Sequence, residues 1–349
     1  MKNNEVAIIG LGFLSPAGRG LEGFYRQINE GSPTEELESW DPDQYLGKKG
    51  LRYISNPSKL YCHLSFQCLE NAGLQAALEA NPHRFGLYDG SEVSFVDEVF
   101  GFDLVAKTEG PNYVSPMKAP SILGNSSASL MAIKSGITGP NFSVCGGNTG
   151  SLQALDIASL HILEGITDYG IVTATENDCS LHQKIRQGER RKHNYKQAPV
   201  FGTSFAITRK DRLTSSTLHY LNAHQFVSGQ NLGYEENHEL LIRLFDQLFQ
   251  SEWRSKDIDA YIIGGVHNLD VPKLMEEIWW NFEVGQAKIH LPEHLFGTCD
   301  NNAGSLALLY AKGLAEGRIE KSTTSNVKRC LVATVDRLGY AVACLISLP

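Results

Sequence analysis

The sequence lacks any run of about 20 uninterrupted apolar residues, the length that an α-helix needs to cross a bilayer. Its 349 residues are 42% hydrophobic and 20% charged, which is ordinary for a globular protein. The apolar stretch near the N-terminus is too short and too rich in glycine for a secretory signal. These absences predict a soluble protein without a membrane partner, and we expect a cytoplasmic location.

Positive charge is scarce as well. The chain has 31 Lys and Arg residues against 39 Asp and Glu residues, a formal net charge of −8 at pH 7. Because basic surfaces bind nucleic-acid phosphates, this balance argues against a nucleic-acid partner. One segment is an exception, since residues 182–198 contain six Lys or Arg residues and a single Glu. A solvated loop is the ordinary interpretation of such a segment.

Motifs for metals and cofactors are missing too. The seven cysteines show no tight pairing pattern, which predicts reduced thiols rather than a disulfide framework. Cys299 and Asp300 are adjacent, but no second cysteine or histidine stands at metal-ligand spacing from them, so we expect no metal. Gly10 and Gly12 follow an apolar strand, yet Ser15 stands where a dinucleotide-binding fingerprint needs its third glycine. We therefore expect no cofactor.

What the chain does contain is an internal repeat. The segment Asn148–Leu155, NTGSLQAL, returns 154 residues later as Asn302–Leu309, NAGSLALL, and each copy begins a helix that ends at a Glu-Gly pair. This spacing is close to half the chain and predicts two similar halves, residues 1–200 and 201–349. The alternative is a coincidence between two helices that both end at glycine.

Both halves are predicted to contain buried strands. Runs such as VAII and YGIVTAT are nearly continuous in apolar residues, as in sheets covered by helices on both faces. Strands that alternate with helices predict an α/β fold built in layers. The predicted strands are Glu5–Gly10, Asn141–Val144, Tyr169–Thr175, Tyr261–Gly264, Cys330–Asp336 and Ala341–Leu348.

Four segments resemble β-ketoacyl synthases. They are VAIIGLGFLSPAG near the N-terminus and residues 121–144, 148–176 and 296–317, so the similarity reaches both halves. Its most specific part is the Gly139-Pro140 strand followed by a sharp turn and a Ser-Leu-x-Ala-Leu helix. The resemblance implies a five-layered αβαβα thiolase fold built from two similar halves. It also implies condensation of acyl and malonyl groups carried on acyl carrier protein, and dimerisation through the first half.

The resemblance also identifies the positions where the family's active-site residues would stand. The nucleophilic cysteine corresponds to Asn148, and the two histidines correspond to Gly264 and Asn301. The family's lysine corresponds to Phe296, and the phenylalanine that gates the acyl pocket corresponds to Tyr340. Because an amide cannot become a thiolate, no acyl-enzyme can form at position 148. Malonyl decarboxylation also lacks its usual imidazoles.

This joint loss predicts a non-catalytic subunit of the chain-length-factor type. Such a subunit would support a catalytic ketosynthase in fatty-acid or polyketide/polyene biosynthesis. Its expected partners are that ketosynthase in a heterodimer, or a second copy in a homodimer, together with acyl carrier protein. The resemblance implies that the predicted strand Asn141–Val144 lies at the dimer edge, and an exposed edge strand tends to aggregate unless a partner covers it.

An alternative keeps an active enzyme by using a displaced site of Cys145, His267 and Asn301. Cys145 stands three residues before Asn148, and His267 stands three residues after Gly264. Three extended residues displace a side chain by about 10 Å, whereas a nucleophile and its base must approach within roughly 3 Å. Distance along the chain therefore argues against this synthase or acyltransferase.

The basic stretch offers a candidate docking site for the carrier protein. Acyl carrier proteins are acidic, and attraction between opposite charges raises the rate at which two proteins meet. The charged residues proposed for this contact are Arg186, Arg190, Arg191 and Lys192.

Overall fold

The computed structural model of the chain contains eleven strands and eleven α-helices within the part that it describes. None of the helices in that part combines the length and the apolar character needed to cross a membrane. The described residues are 5–31, 37, 39–91, 95–175, 181, 198–231, 233, 236–250, 253–285, 287–299, 301–319 and 327–349.

The strands include all six that the sequence predicts, with end points shifted by a few residues. Six strands precede residue 210: β1 Val6–Ser15, β2 Gly18–Arg19, β3 Phe85–Asp89, β4 Asn141–Ser143, β5 Tyr169–Thr175 and β6 Gly202–Arg209. Five follow: β7 Leu221–Gln230, β8 Ala260–Gly264, β9 Lys288–His290, β10 Arg329–Val335 and β11 Tyr340–Ser347.

The α-helices fall between these strands in both halves. Seven lie in the first half: α1 Gly20–Glu30, α2 Asp43–Leu46, α3 Asn56–Asn71, α4 Gln75–Ala80, α5 Val96–Thr108, α6 Ser126–Ser135 and α7 Gly150–Leu163. Four lie in the second: α8 Asn237–Phe249, α9 Val271–Asn281, α10 Glu293–Phe296 and α11 Ala303–Ala315.

The two repeated helices are α7 and α11, and both end at the predicted place. Gly165 follows α7 with a φ of 73°, and Gly317 follows α11 with a φ of 63°. This left-handed backbone is accessible to glycine without the steric cost that a Cβ would bring. The glycines therefore end the helices and turn the chain towards the next strands, β5 and β10.

The strand order repeats in the two halves. Hydrogen bonding runs β4-β3-β5-β6-β1-β7-β11-β10-β8-β9, with β2 added on β1. Read inward from each edge, the two halves have the same topology. The order is β4-β3-β5-β6-β1 in the first half and β9-β8-β10-β11-β7 in the second. The halves join where β1 pairs antiparallel with β7 over three residue pairs, so two equivalent sheets form one hydrogen-bonded path. Because β6 pairs with β1 and β5, this topology groups Gly202–Arg209 with the first half, beyond the sequence boundary at residue 200.

Three clusters of buried apolar side chains fill the spaces between the layers. The first joins α7 and α11 to the inner faces of both halves and includes Leu155 and Tyr310. The second packs α8 and α9 on the outer face of the second half, and the third packs α3 and α6 on that of the first. The order is helix, sheet, paired central helices, sheet and helix. This arrangement confirms the predicted αβαβα fold, and it brings the N-termini of α7 and α11 together at the centre.

Candidate functional site

The two central helices cross where the sequence repeat begins. The backbone N–H of Ser305 on α11 donates to Oγ of Ser151 on α7 at 3.1 Å, and these two serines are the equivalent residues of the repeat. A Cβ on the neighbouring Gly304 would lie 2.4 Å from Cγ of Leu152, so only glycine fits at this contact. Close packing of the helices therefore brings the loops in front of α7 and α11 next to each other.

Asn148 lies in the turn Gly147–Thr149 immediately before α7. Its side chain is only 4% exposed, and Nδ2 donates a hydrogen bond of 3.0 Å to the backbone oxygen of Cys299 in the opposite half. The residue that the resemblance aligned with the family's nucleophile is thus an amide that binds the other half, and this alignment stays a prediction.

The loop before α11 is fixed by two adjacent asparagines. The buried Asn301 donates from Nδ2 to the Thr175 backbone oxygen at 3.1 Å, and its own backbone oxygen accepts from Ser151 N at 3.1 Å. Asn302 accepts a hydrogen bond of 2.8 Å from Oγ1 of Thr203. These amides join the second half to strands β5 and β6 of the first half.

Gly264 ends β8 in a place with little room for a larger side chain. A Cβ built there would lie 3.1 Å from Cβ of Ala303 and 3.2 Å from Cγ2 of Thr334. These distances are shorter than ordinary van der Waals contacts, so a histidine would displace its neighbours. The end of β8 is therefore packed against α11 and β10.

A buried glutamate at the centre of this region has almost no signal in the sequence. Glu293 is 3% exposed. Its Oε2 accepts from the backbone N–H groups of Gly265 at 2.6 Å and Val266 at 2.9 Å, and its Oε1 accepts from that of Cys299 at 2.6 Å. Cys299 therefore connects Glu293 to the turn before α7. Its backbone N–H donates to Glu293, and its backbone oxygen accepts from Asn148. The only local signal was an acidic residue after a proline.

A second carboxylate, Asp336, lies over the same turn. It is 4% exposed, and a Cβ on Gly147 would lie 2.1 Å from its Oδ1. Gly147 also has a φ of 53°, so both the backbone and the available space require glycine. Asp336 Oδ2 accepts from Leu338 N at 2.9 Å, and its backbone N–H donates to the Tyr340 oxygen at 2.7 Å.

The two remaining residues that the resemblance aligned with family site positions lie in different surroundings. Phe296 is buried in an aromatic cluster, with its ring centroid 4.8 Å from that of Phe201 and 6.3 Å from that of Phe24. Tyr340 is 40% exposed at the start of β11. Phe296 therefore contributes to the core between α1 and α10.

The residues of the displaced site differ in burial. Cys145 is exposed and lies beside Gly124, whose ideal Cβ position is 3.9 Å from Sγ. Asn301 is fully buried, and His267 is half-buried in the turn Val266–Asn268. This triad stays a prediction. The carrier-docking residues Arg186, Arg190, Arg191 and Lys192 lie outside the described residues.

Comparison with known families identifies part of the chain. Residues 47–193 match the family described as "Beta-ketoacyl synthase, N-terminal domain". The chain is 26% identical over 193 residues to the 3-oxoacyl-[acyl-carrier-protein] synthase 2 of Vibrio cholerae, an alignment that covers 50% of this chain and 46% of that protein. The Vibrio harveyi protein of the same name is 26% identical over 182 residues, with 47% and 44% covered. The chain thus spans about half the length of the curated relatives it matches.

Solved structures match over nearly the whole chain. The ishigamide ketosynthase/chain length factor superposes with a TM-score of 0.77 and 17% identity, covering 98% of this chain and 99% of that one. A ketosynthase bound to the hexaketide, in complex with its type II polyketide synthase acyl-carrier protein, gives a TM-score of 0.79 and 15% identity, covering 99% of both chains. Residues 47–193 are thus similar to the N-terminal domain of β-ketoacyl synthases, and the layered halves of the whole chain have the thiolase fold of these ketosynthase structures.

Proposed function

We propose that the chain is a non-catalytic, β-ketoacyl-synthase-like subunit of the chain-length-factor type. It would support a catalytic ketosynthase in fatty-acid or polyketide/polyene biosynthesis. The observation that carries this proposal is the use of Asn148 and Asn301, at the nucleophile and second histidine positions, as buried hydrogen-bond donors between the two halves. Both side chains bind backbone oxygens, and neither can serve as a thiolate nucleophile or as an imidazole.

The proposal predicts that the purified chain neither condenses nor decarboxylates malonyl groups carried on acyl carrier protein. We expect turnover at least about 10³-fold below that of an intact ketosynthase, because nucleophile, general base and oxyanion donors are replaced together. Asn148→Cys should remain inactive, because the restored thiol would still have no imidazole at positions 264 and 301. Product formation measured by mass spectrometry provides the test.

The same assay tests the displaced site of Cys145, His267 and Asn301. The specific observation that favours it is the exposed Cys145 thiol. Turnover by the wild type that is lost in Cys145→Ser and in His267→Ala would overturn the non-catalytic proposal and establish this enzyme. Labelling of Cys145 by iodoacetamide without turnover would reflect exposure alone.

An exposed apolar surface supports the assembly of this chain with a partner. β4 is the last strand at one end of the sheet order, and a strand edge is a template for pairing. Large apolar side chains are exposed along the neighbouring segments, and a surface of this kind marks an interaction site. We name these side chains the apolar patch. They belong to α5, α6, β4 and the turns between them, which contact one another, and they are Val99, Phe100, Leu104, Tyr113, Met117, Leu123, Ile133 and Phe142.

The apolar patch predicts a dimer contact that a charge would disrupt. Ile133 is 78% exposed and Phe142 on β4 is 43% exposed, so glutamate at either position can be solvated in the monomer but not in a buried contact. We expect Ile133→Glu and Phe142→Glu each to weaken association at least tenfold, about 1.4 kcal/mol. Size-exclusion chromatography of the chain, alone and co-expressed with a catalytic ketosynthase, measures this.

The control is Leu218→Glu, which places the same charge on an exposed leucine outside the apolar patch. It should elute like the wild type. A wild-type chain that stays monomeric with and without the ketosynthase would contradict the proposed assembly.

We extend the proposal to the carrier protein. An acidic carrier would be attracted to the assembled complex by four basic residues, Arg186, Arg190, Arg191 and Lys192. These residues concentrate positive charge in a chain whose net charge is −8. The ketosynthase–carrier complex among the similar structures supports a carrier partner for this fold.

A further inference from the structure

A buried histidine lies close to two carboxylates in the second half of the chain. His238, in the first turn of α8, is 2% exposed, and its Nε2 lies 3.2 Å from Oε1 of Glu277 on α9. Glu239 follows His238 in the chain, and one ligand atom from each of the three residues lies within 4.8 Å of the other two. The group thus spans the two helices that cover the outer face of the second half.

The contact between His238 and Glu277 is short, yet it does not have the geometry of a hydrogen bond. His238 Nε2 is fully buried and has no hydrogen-bond partner within the described part of the chain. A buried polar atom normally has such a partner. The ring nitrogen therefore lies close to a carboxylate oxygen without forming a well-aligned hydrogen bond.

A cation would explain this arrangement. Nitrogen and oxygen ligands lie about 2.0–2.2 Å from a tetrahedral zinc ion, which places two such atoms roughly 3.4 Å apart. The observed separation of 3.2 Å is close to that value. The side chain of Glu277 is 27% exposed, so an ion can enter from solvent, and waters can complete the coordination.

The chemistry of the donors selects the kind of ion. Calcium and magnesium prefer oxygen ligands alone, whereas an imidazole together with carboxylates suits zinc and neighbouring first-row transition metals. Glu239 keeps one carboxylate oxygen for such an ion, because Oε2 accepts the helix-capping hydrogen bond from Glu236 N at 2.9 Å. Each of the three residues can therefore supply one ligand atom.

We propose that His238, Glu277 and Glu239 bind a zinc-type divalent cation that joins α8 to α9. The sequence gives no sign of this site, because His238 and Glu277 lie on different helices and match no metal motif. The site is independent of the proposed function, since it lies on the outer face of the second half and uses no residue of the region around Asn148. The bound ion would stabilise the packing of the two helices against β8 and β10.

The test is a calorimetric titration of the untagged full-length chain with Zn²⁺ after treatment with a chelator. We expect one site in the wild type and in Glu276→Gln, an exposed neighbour on the same helix. His238→Asn and Glu277→Gln should each weaken zinc binding at least about tenfold. Replacing even a residue that only hydrogen-bonds to a metal ligand lowers metal affinity by that much. Saturating zinc should also raise the unfolding midpoint of the wild type and of Glu276→Gln, but not that of the two ligand variants.

Two results of the titration would contradict the proposal. Equal zinc affinity in the wild type and in Glu277→Gln would overturn the proposal and reduce the contact to an ordinary ion pair. A wild type that binds no zinc would overturn it as well. If His238→Asn fails to fold, the partly exposed Glu277→Gln decides the question, with circular dichroism as the check on its folding.

Discussion

Replacing Glu293 with alanine should lower the free energy of unfolding by roughly 3–5 kcal/mol, the largest single loss that we expect in this chain. The carboxylate is 3% exposed and accepts hydrogen bonds from the backbone N–H groups of Gly265, Val266 and Cys299. Alanine would leave three buried donors without their acceptor, and each such donor costs about 1–3 kcal/mol. Denaturant unfolding followed by circular dichroism measures the change.

Two further variants provide an intermediate case and a surface control. Glu293→Gln keeps an oxygen for Gly265 and Val266 but turns an NH₂ group towards the N–H of Cys299, so we expect an intermediate loss of about 1–3 kcal/mol. Glu79→Ala removes an exposed carboxylate from α4 and should change stability by less than about 0.5 kcal/mol. A loss below about 1 kcal/mol for Glu293→Ala would show that the three amides find other acceptors.

Asp89→Asn should remove a large part of the pH dependence of stability. Asp89 ends β3, is fully buried, and accepts from Ser91 N at 2.8 Å through Oδ1, while Oδ2 has no hydrogen-bond partner in the part of the chain described. Burial raises the pKa of this carboxyl to about 7, although hydrogen bonds from Ser91 oppose the shift. The folded protein therefore holds a proton that the unfolded chain releases near pH 4.

The direction of the pH dependence of stability follows from proton linkage. Between about pH 4 and pH 7 the folded state binds one more proton at Asp89 than the unfolded state, so stability decreases as the pH rises. The full difference amounts to roughly 4 kcal/mol and is complete above pH 7. Because asparagine does not ionise, Asp89→Asn should have a flatter profile and should gain most over the wild type at pH 8.

The measurement is the free energy of unfolding at several pH values between about 5 and 8, the window set by this shift. The difference between wild type and variant isolates Asp89, because Asp156, whose pKa burial raises to about 6, contributes equally to both. Asp103→Asn is the matched control, since that carboxylate is exposed beside Lys107. Parallel profiles for wild type and Asp89→Asn would mean that Asp89 is ionised in the folded state throughout this range.

Much of the fold could be predicted because its signals are local. The apolar run Tyr169–Thr175 specifies a strand buried on both faces, and glycines at 165 and 317 end two equivalent helices. The two copies of the repeat also meet in space, since the equivalent Ser151 and Ser305 are joined by a hydrogen bond, although the repeat itself did not predict this contact. The pairing of β1 with β7, which joins the sheets into one path, had no such signal, because strand pairing depends on residues far apart in sequence.

The candidate site was predictable only in its chemistry. The amide at position 148 and the glycine at position 264 exclude a thiolate and an imidazole there, whatever the structure around them. The partner of Asn148 could not be predicted, because Cys299 is 151 residues away. Phe296 illustrates the same point, since only the packing of Phe24 and Phe201 around it reveals a core residue.

The sequence by itself determined the layered α/β class, the two equivalent halves, the resemblance of several segments to β-ketoacyl synthases and the identity of the groups at the expected reaction centre. These properties depend on residue type and on periodicity along the chain. Only the tertiary structure decided that Glu293 binds three backbone N–H groups, that Asp336 covers Gly147, and that His238 faces Glu277. The energy of a buried polar group depends on the partners that folding brings to it from distant segments, and a linear sequence does not contain those distances.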